Sequence, residues 1–322
     1  MAEPYCVLIT SAGVASAVNV IQSLRSQDRR SVRIISGDMN PLAAGLYLSD
    51  GHYILPRIDD PAYMETLIDI SMKEGAGAVI PIFSREIELI AGRIGELHDA
   101  GIGCILPGQD TVRMINDKVE FSRWLFENGF PGPEVLGPDT TDFPVFVKPR
   151  KGSSSKGARM IRSREELSAI DPRETIIQQY VPGVEYTIDF LASPEHELMG
   201  AVPRERIEVK DGKAVKARTV ELPEGIDLLS RIVMESEYSG PGNLQVMKGE
   251  DGMYVIELNP RFSAGGLPLA TASGPNFPLM LLEMIFEGKT EPRMDYVRDL
   301  YMIRYLTEIF LRKDGSGFEK SL

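Results

Sequence analysis

In 322 residues there are only two cysteines, three histidines and one tryptophan. Cys6 and Cys104 are too few for a disulfide scaffold, and His52, His98 and His196 stand too far apart to suggest a zinc site. No Ser/His/Asp or Cys/His arrangement competes as a nucleophilic triad. No stretch approaches the ~18 apolar residues of a membrane span, and the N-terminus lacks a basic segment followed by a long apolar one, so neither a span nor a signal peptide is predicted. Positive charge is also short: 35 Lys and Arg face 47 Asp and Glu, a net charge of −12. That balance argues against a sequence-independent grip on nucleic acid or on an anionic membrane. A reducing cytoplasm is the expected setting.

Glycine is scarce at one telling place. The first strand-to-helix turn, Ser11-Ala-Gly13-Val-Ala-Ser16, offers one glycine where the dinucleotide fingerprint wants three. Asp38 imitates a ribose-binding acid, but an Asp at a strand end is an ordinary cap or turn residue. A dehydrogenase is therefore not expected.

Apolar residues make up 43% and charged residues 25%, the balance of a globular protein with a sizeable core. At about 150 residues per domain, the length suggests two units. Short apolar runs at 5–10, 32–36, 78–82 and 102–106 are separated by helical patterns at 15–24, 63–72 and 87–97. Such alternation predicts a parallel sheet covered by helices, a Rossmann-like α/β unit over 1–110. From Thr111 the texture changes. Helices are expected at 111–115 and 117–128, then a strand-rich stretch from 143 with turns at 151–157, Pro182-Gly183, Asp211-Gly212 and 249–252, and a helix at 278–286. This reads as an α+β unit of mostly antiparallel sheet. The tail at 313–322 is polar and expected to fray.

Three stretches of this second unit carry chemistry. In Val145-Phe-Val-Lys148-Pro149, a strand delivers a lysine directly into the loop Gly152-Ser153-Ser154-Ser155-Lys156-Gly157. Loops of Gly and Ser let backbone N–H groups approach phosphate oxygens, and Lys148 adds a point charge. The spacing is not that of a Walker loop, and a solvated lysine beside a hairpin is the competing reading. In Gln178-Gln179-Tyr180-Val181-Pro-Gly-Val-Glu185, the edge where a strand stops can pair with adenine. Glu185 can accept bonds from ribose hydroxyls, unless the segment is an ordinary strand and turn.

The third stretch is Glu257-Leu-Asn259-Pro-Arg261. On a strand, residues two apart share a face, so these three point one way while Ile256 and Leu258 point to a core. An oxygen-rich row of this kind suits a hard cation completed by phosphate oxygens, as Mg²⁺ prefers. A three-residue hairpin loop at 250–252 pairs Gly249 with Met253 and sets Gln245 opposite Glu257; a two-residue loop misses that pairing. A solvent-facing polar strand is the alternative. A further hairpin pairs Lys210 with Lys213, which sets Arg204 opposite Thr219 and Arg218 opposite Glu205. The two arginines are then expected to lie near each other and to clamp a carboxylate or phosphate, or else to form a solvated ribbon.

Taken in order, Asp117-Lys118, Lys148-Pro149, the glycine-serine loop, Gln178–Val181, Glu185, Gln245 and Glu257-Leu-Asn259-Pro-Arg261 resemble the ATP-grasp superfamily. The likeness is to modules of the carbamoyl-phosphate synthetase large-chain type and covers about 5–312. It implies a Rossmann-like domain at 1–110 followed by an ATP-grasp domain at 111–312, with a small lid subdomain at 118–181 and a larger one at 182–312. By position, Lys118 and Lys148 would contact the phosphates of ATP, and 152–157 would close over them. Gln178 and the backbone near Val181 would read adenine, with Gln179 and Tyr180 beside them, and Glu185 would hold the ribose. Gln245, Glu257 and Asn259 would bind Mg²⁺, two ions bridged by Glu257, with Mn²⁺ as a substitute. Gln245 departs from the all-acidic pattern of some relatives. Arg261 would steady the transferred phosphoryl group, with Lys148 and Arg204 as further catalytic groups.

The implied activity is a carboxylate–amine or ammonia ligase acting through an acyl phosphate and releasing ADP and phosphate. Its partners would be small-molecule carboxylates and amines, with a homodimer as the assembly. Carbamoyl phosphate synthesis itself is not the expectation, since the resembled large chain carries two such modules. The alternative is an ATP-binding regulator or retired enzyme without turnover.

Overall fold

A computed structural model describes residues 3–152 and 157–312. Ser153, Ser154, Ser155 and Lys156, and the tail at 313–322, lie outside the described residues.

All five residues of β1 (Tyr5–Ile9) are buried, as a central strand covered on both faces requires. It is followed by α1 (Ala15–Arg25), β2 (Val32–Asp38), β3 (Gly51–Ile54), α2 (Tyr63–Glu74), β4 (Ala78–Ile80), α3 (Ser84–Gly92) and α4 (Ile94–Asp99). The four strands form a parallel sheet in the order β3-β2-β1-β4. The direction of winding therefore reverses between β1 and β4, and the crevice at their C-terminal ends is where an open α/β sheet offers a binding edge. The apolar run at 102–106 is not a full strand: only Gly103 bridges to Ala78. A Cβ at Gly103 would lie 2.3 Å from Ile285, so a distant helix presses on the chain there. The helix expected over 87–97 is broken at Arg93, where φ is −128°, between two glycine-bearing helix ends.

One face of this sheet is covered from far along the chain. Ala17, Val20, Ile21 and Leu24 of α1 share a core with Leu267, Ala270, Leu279 and Leu282. The other face packs Met64 and Leu67 of α2 with Ile87 and Ile90 of α3.

Next come α5 (Gln109–Asn116) and α6 (Lys118–Glu127). The carboxylate of Asp117 caps α6, accepting from the Val119 and Glu120 N–H groups at 3.1 and 3.4 Å. A small antiparallel sheet, order β6-β5-β7, is built from β5 (Val145–Pro149), β6 (Arg159–Ile161) and β7 (Thr175–Gln179), with α7 (Arg164–Ser168) packed on it. Val145, Val147, Ile161, Leu167 and Ile177 make its core.

The last unit holds β8 (Val184–Ala192), β9 (Leu198–Lys210), β10 (Lys213–Thr219), α8 (Pro223–Glu235), β11 (Gly240–Gly249), β12 (Gly252–Asn259), α9 (Leu267–Ser273), α10 (Phe277–Glu287) and β13 (Tyr301–Ile303). Its sheet is antiparallel in the order β12-β11-β8-β9-β10-β13. α8 and α9 add helices to a stretch whose dominant expected element was strand. α8 lays Leu228, Leu229, Ile232 and Val233 against Ile188, Phe190 and Leu244 on one face of the sheet. The alternate residues Glu185, Thr187, Gln245 and Met247 face the opposite way, into a cleft. Among the described residues, no helix is long and apolar enough to cross a membrane.

Candidate active site

A cleft of about 660 Å³ lies between the six-stranded sheet, the three-stranded sheet and the β1–β4 crevice. Its floor is a row of side chains running across the large sheet. Glu257 pairs with Gln245, Gln245 with Thr187, and Thr187 with Arg204, one residue from each of four neighbouring strands.

The Gln245–Glu257 pairing is present, but it arises differently from the expected three-residue loop. The turn is a two-residue one, Glu250-Asp251, and Gly249 pairs with Gly252 rather than with Met253. A bulge between Val255 and Glu257 then shifts the register by one residue and restores the pairing. The bulge changes the facing as well. Val255 and Leu258, three apart, both enter the core, whereas Ile256 and Glu257, adjacent, both line the cleft. Ile256 is thus a cleft residue and not the core residue that strict alternation predicts.

The bulge also presents a carbonyl. Lys148, 7% exposed, crosses from β5 and donates from Nζ to the Ile256 carbonyl at 3.0 Å. Burial pushes its ammonium down from 10.5 to about 8, with Lys118 adding repulsion and Glu257 opposing the fall. Lys118, the first residue of α6, donates to the Gly152 carbonyl at 3.0 Å and stands 3.7 Å from the Glu257 carboxylate. Two lysines from different elements therefore meet at the Ile256–Glu257 step of β12, one on its carbonyl and one beside its carboxylate. Gly152, in a left-handed conformation at φ 132°, lines the cleft. Gly157, at φ 79°, is exposed and is not among the lining residues.

Phe146, Val181, Met247 and Ile256 give the same end of the cleft apolar walls. Gln179, Tyr180 and Val181 line it too. The outer edge of β7 is occupied up to Gln179, whose N–H donates to the Glu134 carbonyl at 2.8 Å, so the chain is released from pairing there. Gln178 is buried, and its amide donates to Ser122 Oγ at 3.2 Å, which ties β7 to α6.

The arginines are arranged otherwise than expected. Arg218 turns to the far face of its hairpin, where it pairs with Glu205 and Asp299. Alternation forces this: its cross-strand neighbour is Glu205, and residues 204 and 205 point to opposite faces. Arg204 is 3% exposed, and its Nε donates to Asp189 Oδ2 at 2.7 Å, while one terminal nitrogen is buried without a partner among the described residues. The arginine that shares its face is Arg206, two residues on, which donates to Glu185 and Gln245. The same period-two rule that placed Glu257 with Asn259 would have found it.

Asn259 Oδ1 accepts from Arg261 at 3.3 Å, and Arg261 also reaches Ser84 Oγ at 3.4 Å, at the start of α3. Burial lowers the pKa of the Arg261 guanidinium, against the pull of Glu257. The floor thus meets the Rossmann-like unit, and Gly13, Ser16 and Phe83 form the cleft's far wall. Asp38 is a turn residue in that unit. It accepts from the Gly13 N–H at 2.7 Å and from the Asn40 N–H at 2.8 Å.

Comparison with known proteins bears directly on this arrangement. Residues 171–309 match the family model described as ATP-grasp in the biosynthetic pathway with Ter operon, and residues 7–105 match the PylC-like N-terminal domain. The chain is thus similar to ATP-grasp proteins over 171–309 and to PylC-like proteins over 7–105. It is 27% identical over 194 residues to the carbamoyl phosphate synthase large chain of Thermomicrobium roseum, covering 52% of this chain and 18% of that one. To the 3-methyl-D-ornithine–L-lysine ligase of Methanosarcina acetivorans it is 25% identical over 268 residues, covering 82% and 70%. The chain spans only about a fifth to a quarter of the synthase large chains it matches.

Among solved structures, it resembles the biotin carboxylase domain of Hydrogenobacter thermophilus 2-oxoglutarate carboxylase, a dimer bound to MgADP, ADP and bicarbonate. The TM-score is 0.71 at 16% identity, covering 94% and 74%. An L-amino acid ligase of Bacillus licheniformis gives 0.64 at 15% identity, covering 91% and 78%. At these identities the likeness is one of fold.

The donor chemistry suits Mg²⁺, the metal held with ADP in the similar biotin carboxylase domain. Glu257, Asn259 and Gln245 present oxygen atoms to the cleft, the donor type a hard divalent cation takes. Among the described residues, no group of three or more His, Cys, Asp or Glu forms a metal cluster. This set contains one carboxylate and two amides, which leaves several coordination positions for phosphate and water.

Proposed function

We propose that the chain is an ATP- and Mg²⁺-dependent carboxylate–amine or ammonia ligase. The observation that carries the reading is the meeting of Lys118 and Lys148 at Ile256–Glu257, Lys118 beside the Glu257 carboxylate and Lys148 on the Ile256 carbonyl, with Asn259 and Arg261 continuing the same polar face. Binding a nucleotide does not by itself require that alignment of charge along the reacting end, which favours turnover over a regulatory role.

In this reading the adenine lies between Phe146, Val181, Met247 and Ile256, and Glu185 accepts from the ribose. Lys118 and Lys148 neutralise phosphate oxygens, and Glu257 and Asn259 would hold Mg²⁺, or Mn²⁺ in its place, whose charge supports the transfer when bound. The substrate carboxylate oxygen bonds to the γ-phosphorus of ATP as the bond to ADP breaks. An amine nitrogen then bonds to the acyl carbon, phosphate departs with the electron pair, and the amine proton goes to solvent or phosphate. Arg261 steadies the oxygens being transferred. The far wall at Gly13–Ser16 and Phe83 is where the acyl or amine partner lies. We also assign the protein to the reducing cytoplasm, as a homodimer, in keeping with its two free, buried cysteines and the dimeric biotin carboxylase domain.

Incubation with Mg-ATP and arrays of carboxylates and amines tests the reading. ADP and phosphate appear together only with a matched pair, and oxygen-18 placed in the substrate carboxylate is recovered in the released phosphate, which traces the acyl phosphate. Release of AMP and pyrophosphate overturns the mechanism.

A further inference from the structure

The oxygen donors on the metal side are not equally free. Arg206 reaches across β8 toward the β11–β12 hairpin. One terminal nitrogen donates to Glu185 and, at 3.2 Å, to Gln245 Oε1, and the other donates to the Gly212 carbonyl at 3.0 Å. Its side chain is 6% exposed. A carboxylate, an amide and a backbone oxygen thus fix this guanidinium from three sides, and removing any of them would leave a buried charge short of partners.

The arginine on the other amide is held differently. Arg261 meets Asn259 Oδ1 at 3.3 Å and Ser84 Oγ at 3.4 Å, both at the long end of hydrogen bonding. Among the described residues, no carboxylate stands within ion-pair distance of it. Such a guanidinium can turn to a phosphate and release Asn259, exchanging two long bonds to neutral acceptors for shorter ones to an anion. Arg206 would have to give up its bond to Glu185 to do the same.

A divalent cation on Gln245 Oε1 at about 2.1 Å would lie within roughly 5 Å of the Arg206 nitrogen. Repulsion between a double and a single positive charge at that range is severe in a partly buried cleft. Resting on the ligase reading above, the geometry points to a one-metal cleft: a single divalent cation on Glu257 and Asn259, and the Arg206 guanidinium standing in the second metal position beside Gln245. The amide at 245 then has a physical reason. A carboxylate there would be drawn to Arg206 and compete with Glu185 for it, whereas an amide accepts one bond without adding charge. The expectation of two bridged ions gives way to one ion and one fixed cation.

Counting bound Mn²⁺ by electron paramagnetic resonance, with the full chain and a non-hydrolysable ATP analogue, tests this without turnover. The unaltered protein is expected to bind one Mn²⁺ per chain. The double variant Arg206→Gln/Gln245→Glu is expected to bind two, the second at least about tenfold tighter than any second-site binding before the change. Arg206→Lys, which keeps the charge, stays at one. Two ions in the unaltered protein, or one in the double variant, overturn the inference. Calorimetry with the analogue runs in parallel. Absence of nucleotide binding removes the ligase reading and this inference together, while a count of two in the unaltered protein leaves the ligase reading standing.

Discussion

Lys148→Met separates the stability of this cleft from its function. The ammonium is 7% exposed, and its pKa falls from 10.5 to about 8 because burial penalises the charged form. At about 1.4 kcal/mol per pH unit, keeping that proton in the folded state at pH 7 costs roughly 3 kcal/mol. Methionine fills similar volume without charge but gives up the bond to the Ile256 carbonyl, worth about 1.5–2 kcal/mol. The net expectation is a gain of about 1 kcal/mol in the ligand-free protein, a rise of about 2 °C in melting temperature for a chain of this size. The sign with pH is definite. The folded pKa lies below the unfolded one, so the penalty is full below pH 8 and fades as pH climbs from 8 to 10.5. The advantage of the variant should shrink over that window.

Nucleotide affinity moves the other way. On the ligase reading, in the unaltered protein it falls about tenfold per pH unit above 8, as the Lys148 ammonium is lost. In the variant it is weak and flat with pH. Thermal melts across pH 7–10 and calorimetric titration with an ATP analogue read both quantities. A variant less stable than the parent at pH 7, or one that binds nucleotide as well as the parent, refutes the argument that a buried, phosphate-facing charge stands at 148.

Glu257→Gln keeps size and hydrogen bonding but removes the only carboxylate of the metal set; ADP formation should drop by about 10³-fold while the analogue still binds at raised concentration. Gly266→Ala would set a Cβ 1.9 Å from Arg204 Nε and 2.2 Å from Asp189 Oδ2, so the buried pair must separate. Denaturant titration should show a loss of about 3–5 kcal/mol, and an unchanged midpoint would show that the loop does not rest on the pair. Cys6 and Cys104 are both buried and unpaired, and burial pushes the Cys104 thiol up to about 12. A thiol reagent at pH 8 should therefore label Cys104 only after denaturant is added; rapid labelling of the native protein would contradict its burial.

Much of the fold was open to reading along the chain, because its signals are local. Strand and helix periods at 5–9 and 15–25, the Asp117 cap and the turn at Asp211-Gly212 each depend on a few adjacent residues. The order of lysines, glutamates and the Glu-Leu-Asn-Pro-Arg run likewise carried the ATP-grasp resemblance. Other features were not local. The fate of the run at 102–106 rests on Ile285, which is nearly two hundred positions away. The break at Arg93 lies in a pattern whose apolar positions alone continue through it.

Composition and order thus pointed by themselves to the mixed α/β and α+β fold that the strands and helices form. Those properties are additive along the sequence. Which arginine stands beside Gln245 was settled only in three dimensions, because Arg206 reaches its amide across an intervening strand. So was the facing of Ile256. One extra residue in a ladder reverses every side chain beyond it, and no count along a single strand reveals where its neighbour absorbs that residue. The cleft's far wall likewise exists only because helices at 267–287 bury their apolar faces on a sheet made from the first eighty residues, bringing Ser84 within reach of Arg261.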